Sequence, residues 1–167
     1  IHMPSTVVGK LKDEIADEVG FSCNIILPCT HDTGSAVLAV PSNEKALYIS
    51  SGTWSLMGVE NDEPVINEAS MRYNFTNEGG IDYRFRFLKN IMGMWLFQCI
   101  RRDLGKRYSY DEMMEMAMAS DFKGIVDCNH PSFVAPEDMI EAIRTYLGKP
   151  ELPLGDVLSS VYHSLAA

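Results

Sequence analysis

The sequence predicts an α/β protein. Stretches with apolar residues at helical spacing alternate with short runs rich in Val, Ile, Tyr, Phe and Trp, bounded by Gly, Pro, Ser or Asn. The 167 residues are 46% apolar and 22% charged, proportions that fill a folded core and exclude a disordered or fibrous chain. That length suits one ordinary domain and is too short for two large ones with a full cleft between them.

The first element follows Pro4-Ser5-Thr6-Val7-Val8-Gly9-Lys10: Leu11, Ile15, Ala16 and Val19 form one apolar stripe, so a helix is expected, ended by Gly20. The run Asn24-Ile25-Ile26-Leu27-Pro28-Cys29-Thr30 predicts a short buried strand with a proline near its end. Small apolar residues from Ser35 to Val40 suit a short, tightly packed helix, and Pro41-Ser42-Asn43 marks a boundary.

Beyond that break the period becomes strand-like. Residues 46–50 and 54–59 are expected to pair through a hairpin turn at Ser51-Gly52-Thr53. Residues 72–76 and 83–88 are two further strands, separated by Asn77-Glu78-Gly79-Gly80. The second alternates aromatic and basic residues, which predicts a half-exposed strand.

From Gly93 the chain turns helical. Met94, Leu96, Phe97 and Ile100 form a stripe ended by Gly105, and Ser109 with Glu112 three residues later predicts a capping box. Pro136-Glu137-Asp138 predicts another helix start, with proline in the first turn and the helix ending at Gly148. Residues 156–165 form a last amphipathic helix without a C-cap, which is expected of a sequence that was cut.

Composition excludes several function classes. Fourteen basic against 23 acidic residues give a net charge of −9, which leaves no cationic excess for nucleic acid or an anionic membrane as main partner. No apolar run reaches membrane-spanning length, and residues 1–5 lack the features of a signal peptide. Cys23, Cys29, Cys99 and Cys128 match no zinc spacing and read as reduced thiols of a cytoplasmic protein. Met113, Met114, Met116 and Met118 read as adaptable core filler. His130 and His163 lack a metal-like partner at helical spacing.

Three constellations can carry chemistry. His31-Asp32-Thr33-Gly34 follows a strand, where ligands gather in open α/β sheets. Asp32 there either takes a proton from a substrate hydroxyl or merely caps the following helix. Ser50-Ser51-Gly52-Thr53-Trp54-Ser55 is either an ordinary hairpin or one whose glycine lets a phosphate approach backbone N–H groups. Asn90, at a strand-to-helix junction, either hydrogen-bonds a polyhydroxyl ligand or caps the helix, and Gln98 would lie two turns along that helix.

Four strings in this order, THDTGSAVLAVP, LYISSGTWSLMGVE, NFTNEGG and RFLKNIMGMWLFQ, resemble the FGGY carbohydrate kinases, most closely the branch acting on L-rhamnulose. The opening MPSTVVGKLKDEIADEVG is also similar, with Ser5 where that family usually has glycine, and the likeness thins between Tyr108 and Lys149.

The resemblance implies an actin-like ATPase (ribonuclease H-like) fold, present in part. Residues 1–42 would be the tail of a first kinase domain carrying the catalytic aspartate. Residues 43–167 would be the opening part of a second domain carrying a phosphate-binding hairpin. It implies Asp32 as catalytic base, with His31, Asp32, Thr33 and Asn90 at the sugar, and Gly52, Thr53 and Gln98 at ATP. ATP and Mg2+ are the implied cofactors, and L-rhamnulose or a related ketose the implied substrate. The family's Mg2+-associated acid, its first phosphate hairpin and its adenosine motif are not among these residues, so no kinase activity is expected of them alone. No metal ligand is assigned, and self-association through an uncovered face is expected of such a fragment. The alternative is a non-catalytic actin-like module that binds sugar or nucleotide.

Overall fold

Glycines and capping residues end and begin the helices largely where the sequence places them. The computed structural model describes residues 2–29, 31–41 and 46–167. Thr30, and Ser42 and Asn43 of the expected boundary, lie outside the described residues. The chain is a mixed α/β structure that divides into two units whose segments alternate along the sequence, one comprising residues up to Ser50 with Leu56–Lys89, the other Ser51–Ser55 with Asn90–Ala167.

In the first unit, β1 (Val7–Lys10) pairs antiparallel with β2 (Asn24–Ile26), and α1 (Asp13–Val19) connects them. Gly20 ends α1 at φ 78°, a left-handed conformation that glycine adopts without penalty. The strand expected to be buried at 24–30 is instead three residues long and exposed. An apolar run alone does not separate a core strand from a hairpin partner, and here its one neighbour among the described residues is β1. Upstream, Ser5 stands at φ 67°, its N–H donating to the Leu27 carbonyl at 2.7 Å. A serine thus occupies a left-handed position that favours glycine.

Helix α2 (Asp32–Leu38) follows, then a four-stranded sheet ordered β3-β4-β6-β5, built from β3 (Tyr48–Ser51), β4 (Trp54–Asn61), β5 (Phe75–Gly79) and β6 (Phe85–Met92). The expected hairpin across Gly52-Thr53 is present. The expected strand at 72–76 is displaced: helix α3 (Glu68–Arg72), capped by the Asn67 side chain, takes its start, and Asn74 turns the chain at φ 59°. Asn77-Glu78-Gly79, expected as a separator, lies inside β5. Asn77 stays in the strand because its amide pairs with both the N–H and the carbonyl of Val65, at 2.9 and 3.0 Å. The turn falls at Ile81–Tyr83.

Strand β6 alternates as expected, and its basic position 86 takes the inner face. Arg86 and Leu88 are buried, while Phe85 and Phe87 are half-buried, Phe87 stacking on Phe75 at 4.8 Å. The antiparallel register sets Glu78 opposite Arg86, and this countercharge lets the arginine take the inner face.

The second unit holds the main apolar core, where Phe97, Ile100, Met113, Phe133, Met139, Ile143, Leu158 and Val161 are fully buried. Its helices are α4 (Trp95–Asp103), α5 (Tyr110–Met118), α6 (Met139–Leu147) and α7 (Leu154–Ala166), with α5 packed on α7 and α4 on α6. The capping box of Ser109 and Glu112 is formed at the start of α5. Helix α6 starts later than expected: Asp138 is its N-cap, accepting from the Glu141 N–H at 3.0 Å, so Pro136 and Glu137 precede it. Of the methionines read as core, Met113 is buried and Met116 half-buried, whereas Met114 and Met118 are exposed. No helix among the described residues is long and apolar enough to cross a membrane.

Candidate functional site

Within the first unit, α2 positions His31, Asp32 and Thr33 together. His31 holds the extended N-cap position and Asp32 is the first helical residue, so the reading of Asp32 as the cap itself is corrected by one position. The Asp32 side chain is 96% exposed. Its Oδ1 accepts from the Thr33 N–H at 2.7 Å and lies 3.5 Å from both Thr33 Oγ1 and His31 Nδ1. These contacts all fall on one carboxylate oxygen and fix the orientation of the other. Thr33 is buried, and Ser35 anchors the helix to the Cys29 carbonyl at 2.8 Å.

Beside this helix start is a cleft of about 400 Å3, lined among others by His31, Gly34, Gly79, Gly80, Arg84 and Arg86. Arg86 lies on its floor at 3% exposure, with Nη2 donating to Glu78 Oε2 at 2.9 Å. Gly34 crosses directly over the guanidinium, since a Cβ on Gly34 would stand 3.3 Å from Arg86 Cζ. The sequence alone assigns no individual role to Arg86 or Glu78, although Glu78 stands in one of the distinctive strings. The available signal was a basic residue on the same strand face as Leu88, with an acid one hairpin away.

Within the second unit, the hairpin turn and α4 form one assembly. The Gly52 carbonyl accepts from the Met94 N–H and the Thr53 carbonyl from the Trp95 N–H, each at 3.0 Å. The turn therefore occupies the backbone donors that open α4, which would otherwise lack partners. Gln98, one turn in, donates from Nε2 to Thr53 Oγ1 at 3.0 Å. Gly93 is required for this approach: a Cβ there would lie 2.6 Å from Ser55 Oγ and 2.8 Å from the Gly52 carbonyl oxygen.

The structure brings Gly52, Thr53 and Gln98 together and keeps Asn90 apart from the helix. Asn90 is an exposed residue inside β6, and Met94 is the N-cap of α4, so the capping alternative for Asn90 is overturned. Nor do Asn90 and Gln98 share a helix. The strand runs on to Met92, past the position that suggests a junction.

The remaining polar groups are structural. His130 Nδ1 lies 2.8 Å from Ser132 Oγ and its ring packs on Tyr146 and Phe133. Burial pushes the Cys128 thiol up to about 11 and raises that of Cys99, which opposes thiolate chemistry at both, while Cys23 is exposed. Among the described residues no three His, Cys, Asp or Glu side chains converge as a metal site.

Comparison with known proteins agrees with this arrangement of motifs. The chain is 50% identical to a rhamnulokinase of Halalkalibacterium halodurans and 48% identical to one of Oceanobacillus iheyensis, in each case over 99% of the chain and 36% of the relative. A rhamnulokinase of Bacillus subtilis is 38% identical over 98% of the chain and 35% of the relative. The chain thus spans about a third of the length of these curated relatives. Residues 47–167 match the C-terminal domain of the FGGY family of carbohydrate kinases, and the chain belongs to that family.

Proposed function

We propose that this chain is part of an ATP-dependent sugar kinase that transfers the γ-phosphoryl group of ATP to a hydroxyl of L-rhamnulose or a related ketose. The observation that carries the proposal is the Asp32 carboxylate: exposed, held through one oxygen by the Thr33 N–H, and next in the chain to His31, which lines a cleft. A carboxylate so held has its second oxygen free to take the hydroxyl proton as the sugar oxygen attacks phosphorus. His31 and Thr33 flank it for contact with the sugar, and Asn90 serves the sugar from β6. Gly52, Thr53 and Gln98 form the nucleotide-side group, where a glycine turn and an oriented hydroxyl suit phosphate oxygens. The names of the relatives support the substrate assignment.

The proposed organisation is an actin-like fold in which residues 1–42 close a first domain and 43–167 open a second. The family match beginning at residue 47 supports that division. Phosphoryl transfer from ATP ordinarily uses Mg2+ to neutralise phosphate charge. The described residues do not converge on such an ion, so none of the steps assigned here runs through one. A cytoplasmic setting, with sugar and ATP as partners, fits the acidic surface and four free thiols.

The test is ADP release with L-rhamnulose and MgATP, on the protein at its full natural length, comparing wild type with Asp32→Asn. Loss of a general base predicts a fall in kcat of about 10²–10⁴-fold with nucleotide binding retained. Turnover that survives the substitution would remove Asp32 from the mechanism. Sugar binding without any turnover in the wild type would favour a non-catalytic binding module.

A further inference from the structure

Arg86 is a costly residue to place inside a strand. A guanidinium carries five N–H donors in a rigid fork, yet its one hydrogen bond to a described side chain runs from Nη2 to Glu78. Its Nε and Nη1 are shut from solvent with no partner among the described residues. Buried donors left unpaired oppose folding, and a buried ion pair is weak evidence of a stabilising role when an apolar residue would fill the same space. The neighbouring inner-face position of β6 is Leu88, so an aliphatic side chain suits this face.

The surroundings say what the arginine is for. It floors the cleft that begins at His31, one residue before Asp32. Three glycines, Gly34, Gly79 and Gly80, line the same cleft and let a ligand approach the main chain. We propose, building on the sugar-kinase reading, that Arg86 is a substrate-binding residue whose unpaired donors take oxygens of a neutral polyhydroxyl ligand seated beside Asp32.

Charge argues for a neutral ligand over a phosphate. Glu78 balances Arg86 at 2.9 Å, and the other cleft cation, Arg84, faces Glu60 at 3.9 Å and Asp62 at 3.5 Å. Positive charge is matched or exceeded by carboxylates, so the cleft has no excess to hold a phosphate dianion. Hydroxyl oxygens ask only for donors, and this guanidinium has them to spare.

The test is calorimetric titration of L-rhamnulose into the protein at its full natural length, with inorganic phosphate as the anionic control. Losing hydrogen bonds from a charged donor predicts that Arg86→Lys weakens sugar binding by about ten- to a hundredfold. Gly34→Ala, which presses a methyl onto the guanidinium without removing its charge, is expected to weaken sugar binding as well. Affinity for a non-hydrolysable ATP analogue should stay within about twofold for both, as hydrogen bonds to ATP are not removed. Sugar binding unchanged in both variants overturns the proposal, and so does phosphate that binds in competition with the sugar. Should either variant fail to fold, the Arg86 Nε–H resonance of the wild type decides: a shift on adding L-rhamnulose supports the proposal, and an unmoved signal overturns it. The two readings fail separately. Turnover by Asp32→Asn removes the proposed base and leaves the Arg86 binding result standing.

Discussion

Gln98 Nε2 donates to Thr53 Oγ1 at 3.0 Å, joining α4 to the tip of the hairpin through two side chains 45 positions apart. A threonine hydroxyl has one proton to give and two lone pairs to receive with. With a lone pair engaged by the amide, the hydroxyl keeps its own proton to donate. The hydroxyl is thus able to donate to an anionic oxygen, the property required of the nucleotide-side role proposed for Thr53.

Thr53→Val removes that donor and keeps the shape. It is expected to weaken nucleotide binding by about ten- to a hundredfold, the worth of one hydrogen bond to a charged acceptor. Gln98→Leu should produce a smaller loss, because the hydroxyl remains but is no longer oriented. A double-mutant cycle by calorimetry checks this: coupling of about 0.5 kcal/mol or more between the positions is expected, and strict additivity contradicts the arrangement.

Gly93→Ala should be among the more damaging single-methyl changes in the chain. The added carbon would sit 2.6 Å from Ser55 Oγ and 2.8 Å from the Gly52 carbonyl oxygen. Overpacking against main chain costs about 1–3 kcal/mol, so urea denaturation should shift its midpoint down while the m-value holds. Nucleotide affinity should fall with it, since the turn that accepts from Met94 and Trp95 is displaced.

Ser5→Gly is expected to stabilise. Serine at φ 67° bears a steric penalty that glycine escapes. Relief of that strain, less the greater entropy glycine loses on folding, leaves a gain of about 1 kcal/mol. Thermal unfolding would register it as a higher Tm; a lower one would mean that the hydroxyl has a role of its own.

Ser109→Ala removes the cap of α5 and should cost about 1 kcal/mol. The reciprocal bond gives a pH signature. The Ser109 backbone N–H, and after it the Ser109 side chain, hold the Glu112 carboxyl below its ordinary value of 4.5. A lowered folded-state pKa stabilises above the unfolded value and is lost as pH falls through the folded one. The stability gap between wild type and Glu112→Ala should therefore be full near neutrality and close as the pH drops below 4.5. Denaturant titrations at stepped pH would measure it.

Local signals carried much of the fold. Gly20, Gly105 and Gly148 take left-handed conformations where helical segments stop, and Ser109 caps where the spacing with Glu112 predicts. What escaped was set by partners distant in sequence. Asn77 looks like a turn residue until its amide meets the Val65 backbone. Arg86 looks solvated until antiparallel register brings Glu78 opposite it. The exposed β1–β2 pair has the apolar composition of a core strand, and the sequence has no sign of what surrounds it. In the candidate site, Thr53 and Gln98 were legible as polar residues in distinctive strings, whereas their hydrogen bond was not. Asn90 was misplaced for the same reason: composition suggests a junction, and strand pairing decides where the junction falls.

The bonds from Gly52 and Thr53 to Met94 and Trp95 are made entirely by peptide groups. Any residue able to adopt the same backbone angles preserves them, so the loop's posture is insulated from changes in its own side chains. Evolution, or an engineer, can therefore trade the hydroxyl at position 53 for another functional group and alter the chemistry the tip presents while the scaffold beneath it stays put.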